Sequence, residues 1–451
     1  MSVKKIITYD AWHLVLVSVF IVVFSSLLLT TINSQGSTAL TINLQESTEW
    51  IRHSIDTGTS LGADGTRLAD VDGDGDMDIT TPWEEKGHIK AYLNPGPGQN
   101  ITQLWESVIA GRVRGPEDSV FADLDNDGAV DVVSSAEGAK ALYVHWAPKD
   151  AIINGLFNKN AYLNSSLWTT EPIAESSGSS WMFALPMDVD GKNGIDLVGG
   201  GKSGASVGWF ESPENPRNTS QWKFHPLHKL GWIMSMSSKD MDGDNDTDVL
   251  LSARTKGSFW IENPGHTALQ QNPDMKWPLH RIGSYNRGLS MFQTSGDLDQ
   301  DGIDDVVLAN RDYAIIFHKG NYSNTELWDS YIIGVPGKFI SGTPKGVAIG
   351  DINLDNKTDL VVTAEHTAVR TGVWWMSSFP VENLEYDPIR KAYTGWVWDF
   401  HKVSGNEEKN GAKFDLVELV DLDNDGDLDI ITSEEAHNLG VVWYENPTIK
   451  N

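Results

Sequence analysis

The sequence predicts an all-β fold, a seven-bladed β-propeller over residues 44–451 that its N-terminal strand closes. Three observations predict it. An aspartate-rich stretch of nine residues recurs seven times, with starts 53, 65, 52, 57, 54 and 70 residues apart, a period that marks a repeat architecture. Each copy is followed by a β-branched run, such as "DVVS" at 131–134, then by a strand ending in an aromatic residue and a turn, as in "WFESP" at Trp209, "WIENP" at Trp260 and "WYENP" at Trp443. A tryptophan with alternating apolar residues comes next, as in "WKFHPL" at Trp222 and "WPLHRI" at Trp277. With the segment leading into each acidic stretch, these make four strands per repeat, the content of a propeller blade. The third observation is the stagger of the ends. The chain meets a lone outer-type strand first, "WIRHSI" at 50–55, and ends on "VVWYENP" with no such strand after it. Pairing the two closes the ring and removes the free sheet edges of an open stack.

The acidic stretches read as loops. In a DxDxDGxxD pattern, side chains at positions 1, 3, 5 and 9 and the carbonyl at position 7 can converge on one ion, because position 6 takes the positive-φ turn that wraps the loop around it. Hard oxygen ligands in that number suit Ca²⁺ better than Mg²⁺, which demands a stricter octahedron. The candidate ligands are Asp70, Asp72, Asp74, Asp76 and Asp78 in the first loop, and Asp123, Asp125, Asp127 and Asp131 in the second. They continue with Asp188, Asp190 and Asp196 in the third, Asp240, Asp242, Asp244 and Asp248 in the fourth, and Asp297, Asp299, Asp301 and Asp305 in the fifth. The sixth offers Asp351, Asn353, Asp355 and Asp359, and the seventh Asp421, Asp423, Asp425 and Asp429. Five to seven calcium ions are expected. In the third loop Lys192 occupies position 5, where its ammonium group can replace the ion. An EF-hand is excluded because position 12 is Thr81, Ser134 or Thr432 rather than glutamate, and strands flank the loops.

Composition narrows the function. Acidic residues outnumber basic ones 63 to 34 in 451 residues, a formal charge of −29, which argues against a nucleic-acid partner. The absence of cysteine removes disulfides, thiolate metal sites and cysteine nucleophiles. Residues 1–39 read as a signal peptide or signal anchor: Lys4 and Lys5 precede an uncharged apolar run at 14–32, long enough to cross a bilayer, with its basic flank cytoplasmic. The rest of the chain is then expected to be extracellular, secreted or held at the cell surface through that segment alone.

The loops, their strand-loop-strand setting and the sevenfold count resemble the FG-GAP or VCBS repeats of integrin α-subunit heads and microbial surface proteins. The resemblance implies a seven-bladed propeller with calcium in the first hairpin of its blades and ligand recognition on the opposite face.

Because successive turns in a blade alternate between faces, that opposite face is expected to carry Trp83, Glu85, Arg254, Arg311 and Glu434 from the connections after the second strands. The loops entering the first strands add Arg112, Arg114, Trp181, Trp232, Arg287 and Lys413. Arginines suit carboxylates or sulfates, and exposed tryptophans suit sugar rings. Two function classes follow. One is a non-enzymatic extracellular binder of a protein or glycan. The other is a carbohydrate-active enzyme, a polysaccharide lyase or sugar dehydratase, with His366 or His437 as base beside an arginine. No nucleophile-elbow, zincin, P-loop or dinucleotide fingerprint points to other chemistry.

Overall fold

The computed structural model describes residues 49–58, 61–98, 100–202, 207–284, 287–320, 328–378, 384–405 and 413–449. The segment at 14–32 lies outside them. Seven antiparallel units of four strands make the blades of a propeller. The innermost strands are Arg67–Ala69, Pro116–Ala122, Trp181–Met187, Ile233–Lys239, Ser290–Gly296, Thr343–Gly350 and Phe414–Val420. Each runs through an acidic loop into a second strand: Asp78–Trp83, Asp131–Ala136, Asp196–Gly201, Asp248–Ala253, Asp305–Asn310, Asp359–Glu365 and Asp429–Glu434. Every residue of these second strands is buried. Strands covered on both faces read as continuous apolar runs rather than alternating ones, which is the pattern behind each loop.

The ring closes as the staggered ends require. Ile51–Asp56 pairs antiparallel with Gly440–Glu445, in register from Ile51 opposite Glu445 to Ser54 opposite Val442, and supplies the outer strand of blade seven. Blade five departs from four strands. A hairpin of Glu385–Asp387 and Ala392–Trp396, inserted between the third and outer strands of blade six, adds to the outer edge of Ser330–Gly334 in parallel.

The tryptophans of the repeat are packing. Trp209, Trp260 and Trp443 on third strands are 1% exposed or less, as are Trp222 and Trp277 on the outer signal. Four of the third-strand tryptophans stack on the histidine of the adjoining outer strand: Trp209 on His225, Trp260 on His280, Trp375 on His401 and Trp443 on His53.

One local irregularity positions the site. In blades two to seven the register slips near the start of the innermost strand, leaving Glu117, Met182, Met234, Met291 with Phe292, Lys345, and Asp415 with Leu416 as extra residues. Such β-bulges bend the strand and re-aim a side chain. Hydroxyls of the preceding blade fix the bulged backbone: Ser135 donates to the Met182 carbonyl at 2.8 Å, Ser252 to that of Met291 at 2.6 Å, and Thr363 to that of Asp415.

Candidate functional site

The acidic loops share one internal scaffold. The carboxylate at position 9 is a strut: one oxygen of Asp78 accepts the Val71 N–H at 2.9 Å and the other accepts the Asn94 N–H at 2.8 Å. Asp131, Asp196, Asp248, Asp305 and Asp429 repeat both bonds, and Asp359 repeats the first. Position 6 has φ between 59° and 105° in all seven loops, at Gly75, Gly128, Asn193, Asn245, Gly302, Asn356 and Gly426, so glycine or asparagine there answers to the turn.

The carboxylates converge. One oxygen each from Asp70, Asp72 and Asp78 lie within 4.8 Å of one another, as do those of Asp123, Asp125 and Asp127, of Asp188, Asp190 and Asp196, and of Asp240, Asp242 and Asp248. Burial, the largest cause, and the neighbouring Asp74 push Asp72 up to about 6, and burial pushes Asp78 and Asp248 up to about 7. In the second loop, Asp123 Oδ1 and Asp125 Oδ1 are buried with no hydrogen-bond partner. Buried acceptors without donors and crowded carboxylates are what a bound cation satisfies, so the donor set fits a hard divalent ion.

Basic side chains divide the loops. In the third loop Lys192 donates to Asp190 at 3.0 Å. Arg217, from the connection before the outer strand of blade three, reaches back to Asp125 and to Asp127 Oδ2 at 3.2 Å. Lys319 bridges Asp299 and Asp301. Loops one and four have no basic side chain within ion-pair distance among the described residues.

The opposite face centres on a funnel of about 190 Å³ to which every blade contributes. Its deepest ring is made of the bulge residues Glu117, Met182, Met234, Met291, Lys345 and Asp415, with Asp64 in the equivalent place in blade one. Blades three, four and five present methionine, backed by Phe183 and Phe292; blades six, seven, one and two present charge. On the charged side the buried Lys345 ammonium donates to Asp415 and Glu435, and Lys413 also reaches Glu435. Although burial opposes it, the lysine holds Asp415 well below the usual carboxylate range. Burial, the Glu435 charge and Asp415 raise Asp64, and burial with Glu84 pushes Glu117 up to about 8.

The expected ligand residues separate into three groups. Trp232 and Arg254 line the funnel, with the guanidinium 4.2 Å from the indole ring and Lys202 Nζ 4.1 Å from the same ring. Arg254 lies 3.4 Å from Met234 Sδ, and no carboxylate pairs with it among the described residues. Arg311 is paired with Glu365. Glu85, Arg112, Arg114 and Arg287 are exposed but lie outside the funnel lining; Arg114 donates to the Gly138 carbonyl instead.

Three expectations are corrected. Trp83 and Trp181 are 2% exposed, their indoles donating to Tyr92 Oη and the Ser176 carbonyl, so neither faces a ligand. Glu434 is buried and accepts the N–H groups of Lys413, Ala436 and His437, which makes it the brace of its own loop. The proposed bases sit at the rim: His366 Nδ1 is 3.7 Å from Glu365 and His437 Nδ1 3.8 Å from Glu434, and among the described residues the funnel lining contains neither histidine nor tyrosine.

The sequence matches the FG-GAP-like repeat family over residues 70–134 and 297–362, which run from the first loop into blade two and from the fifth loop into blade six. No curated protein matches it. Among solved structures it is similar to BBS1N in complex with ARL6DN, soaked with mercury, at 10% identity and a TM-score of 0.49, over 89% of this chain and 98% of that one. It is also similar to the computationally designed Ika8 protein, at 12% identity and a TM-score of 0.41, over 87% of this chain and 100% of that one. The V. cholerae biofilm matrix protein Bap1 aligns at 11% identity and a TM-score of 0.37, over 84% of this chain and 76% of that one.

Proposed function

We propose that this chain, a seven-bladed β-propeller of FG-GAP-like repeats, is a non-enzymatic binding module that takes up calcium on one face and a protein ligand in the funnel of the other. The observation that carries the ligand reading is the division of the funnel ring. Met182, Met234 and Met291 form an adaptable apolar wall beside Arg254, a cation with no carboxylate partner among the described residues. Methionine surfaces accept varied apolar side chains, and a partly desolvated guanidinium favours a carboxylate. The best-fitting ligand is therefore a peptide segment with an apolar residue next to aspartate or glutamate. With Trp83 and Trp181 buried and the ring of Trp232 in contact with both Arg254 and Lys202, the funnel offers little platform for a sugar ring.

Calcium would be held by the side chains at positions 1, 3, 5 and 9 of the loops, where it supplies the positive charge that the clustered carboxylates require. The residues of this chain do the rest: the position 9 struts fix loop to blade, so a filled loop stiffens the hairpin behind it. We place the protein outside the cell on the strength of the apolar segment at 14–32. Among the described residues no helix is long and apolar enough to cross a membrane.

Selection of a displayed random peptide library on the full chain in calcium tests the ligand reading. Enriched peptides should pair an apolar residue with an acidic one and lose about ten- to hundredfold in affinity against Arg254→Ala, the value of one charge-assisted hydrogen bond. Met234→Lys should block the apolar half. Peptides that bind both variants as well as the parent, or no enrichment at all, would remove the funnel from consideration.

A further inference from the structure

A cavity of about 440 Å³ opens between blades five and six on the side of the acidic loops. It exists because of the inserted hairpin. Ala392–Trp396 runs parallel to Ser330–Gly334, with Tyr331 opposite Tyr393 and Ile333 opposite Trp396, and this brings Trp396 over the cleft. One wall is aromatic: Phe317, Tyr331 and Trp396 meet with ring centroids 5.2 to 5.9 Å apart. Tyr331 and Trp396 are half-buried, which leaves part of each ring to the cavity. The facing wall is polar: Gln300 and Thr358 come from the acidic loops of the two blades, and Lys319 follows the third strand of blade five.

We propose that this cleft is a binding site for a neutral pyranose sugar, one or two rings long. Its volume falls within the roughly 300–1,000 Å³ of small-molecule sites. A pyranose has an apolar C–H face and a hydroxyl edge, and the cavity has one wall for each: aromatic rings for the face, an amide, an ammonium group and a hydroxyl for the edge. Charge decides against an anionic ligand, because Lys319 is already bridged to Asp299 and Asp301, and Lys357 lies 3.7 Å from Asp355. Gln300 donates to the Asn356 carbonyl at 2.7 Å and Thr358 to that of Asp297 at 3.1 Å, and the amide and hydroxyl oxygens of these two side chains keep acceptor capacity for a hydroxyl edge. The tryptophan platform expected on the funnel face thus lies at the edge of blade five, on a residue outside the repeat pattern.

The test uses the full chain in calcium, labelled with 5-fluorotryptophan, and titrated with methyl glucoside, methyl galactoside, methyl mannoside and methyl N-acetylglucosaminide. The Trp396→Phe protein assigns the Trp396 fluorine resonance and keeps an aromatic ring in the fold. With at least one sugar the Trp396 resonance should shift in a saturable way while that of Trp232, in the funnel, stays still. Saturation transfer to the ring protons of that sugar should vanish in Tyr331→Ala, and Arg254→Ala should leave it unchanged. A Trp396 resonance that ignores all four sugars, or transfer that survives both Trp396→Phe and Tyr331→Ala, overturns the proposal. Failure of the funnel reading alone would leave these signals in place.

Discussion

Blades four and five differ in the sign of one charge at one place. The third strand of blade four runs out through Ile261 into Glu262, and the next N–H, that of Asn263, binds the position 9 strut Asp248. In blade five the residue before the corresponding N–H donor, Gly320, is Lys319. Glu262 helps to raise Asp242 above the usual carboxylate range, after burial and Asp244, whereas Lys319 holds Asp301 below it. Blade four therefore carries charge that only an external cation can neutralise, and blade five carries its own counter-ion. Glu211 and Glu445 stand in the same place in blades three and seven, each beside the histidine that stacks on the third-strand tryptophan. Glutamate thus recurs at this place in blades three, four and seven, Leu93, Trp146 and Ser377 hold it in blades one, two and six, and Lys319 puts a positive charge there in blade five.

The largest effect should come from removing calcium. A site saturated a hundredfold above its Kd stabilises the fold by about 2.7 kcal/mol, so the loops that lack an internal cation stand to lose most. Excess EGTA should lower the melting temperature by many degrees, and hydrogen exchange should rise more in residues 240–248 than in residues 297–305. Equal exchange in the two loops would break the comparison, and an unchanged melt would remove calcium as a folding cofactor.

Acid should separate blades at a second equivalent position. Two residues before the N–H donor to the strut stand His145 in blade two and His318 in blade five, but Tyr92 and Tyr444 in blades one and seven. Burial depresses both histidines to about 3, and each ring is held by hydroxyls, His145 by Ser134 at 2.8 Å and Thr170 at 2.9 Å. The folded state then binds fewer protons than the unfolded one. Stability from these groups is complete above the unfolded value near 6.5 and is lost as pH falls toward 3, at about 1.4 kcal/mol per pH unit for each histidine. Melts taken between pH 7 and 5 should fall less steeply for His145→Gln. The difference between the two proteins isolates the imidazole from carboxylates that titrate in the same window, and parallel curves would mean that His145 is charged in the fold.

How far the sequence announced these features depends on whether each follows the repeat. The loops, the position 6 turn and the closing strand 50–55 are repeated, so physical constraints on one copy are visible in seven. The funnel ring was missed, although its signal is present: Asp64, Glu117, Met182, Met234, Met291, Lys345 and Asp415 each stand six residues ahead of the first aspartate of their loop. Their side chains have nothing in common, and a bulge leaves no mark on the alternation of apolar residues, so position alone identifies them. Lys319 was legible in the same sense, as "FHKGN" where blade four reads "WIENP". The hairpin of blade five showed only as the 70-residue spacing before the last loop, because its aromatic residues pack outside the repeat.

A smaller effect is expected from exchanging the charges themselves. Lys319→Glu gives blade five the charge of blade four and leaves Asp299 and Asp301 without their ammonium group. In EGTA the variant should be about 1–2 kcal/mol less stable than the parent, the loss of charged hydrogen bonds at a partly exposed site, and calcium should restore most of it. Glu262→Lys should do the reverse and lower the calcium dependence of residues 240–248 in hydrogen exchange. If Lys319→Glu responds to EGTA no more than the parent does, the lysine is a bystander and the two blades are electrically alike.

The smallest effect should be that of Arg217→Ala, and the reason is a near cancellation. Arg217 lies 4.9 Å from the Trp146 ring and ties Asp125 and Asp127 of blade two to blade three. With its side chain 25% exposed, the tether is worth under about 1 kcal/mol in folding. Toward calcium it acts in two directions. A unit charge about 5 Å from a divalent ion costs about 1.7 kcal/mol in water, which removal would recover. Against that, Arg217 orients the two carboxylates, and loss of an orienting partner costs about ten- to hundredfold in metal affinity, or about 1.4–2.8 kcal/mol. The midpoint at which calcium protects residues 123–131 from hydrogen exchange should therefore move by less than tenfold. A larger rise in affinity would show that the arginine competes with the ion, the role expected of Lys319. A larger fall would place it among the supports of the site, beside the buried Oδ1 atoms of Asp123 and Asp125 that have no hydrogen-bond partner.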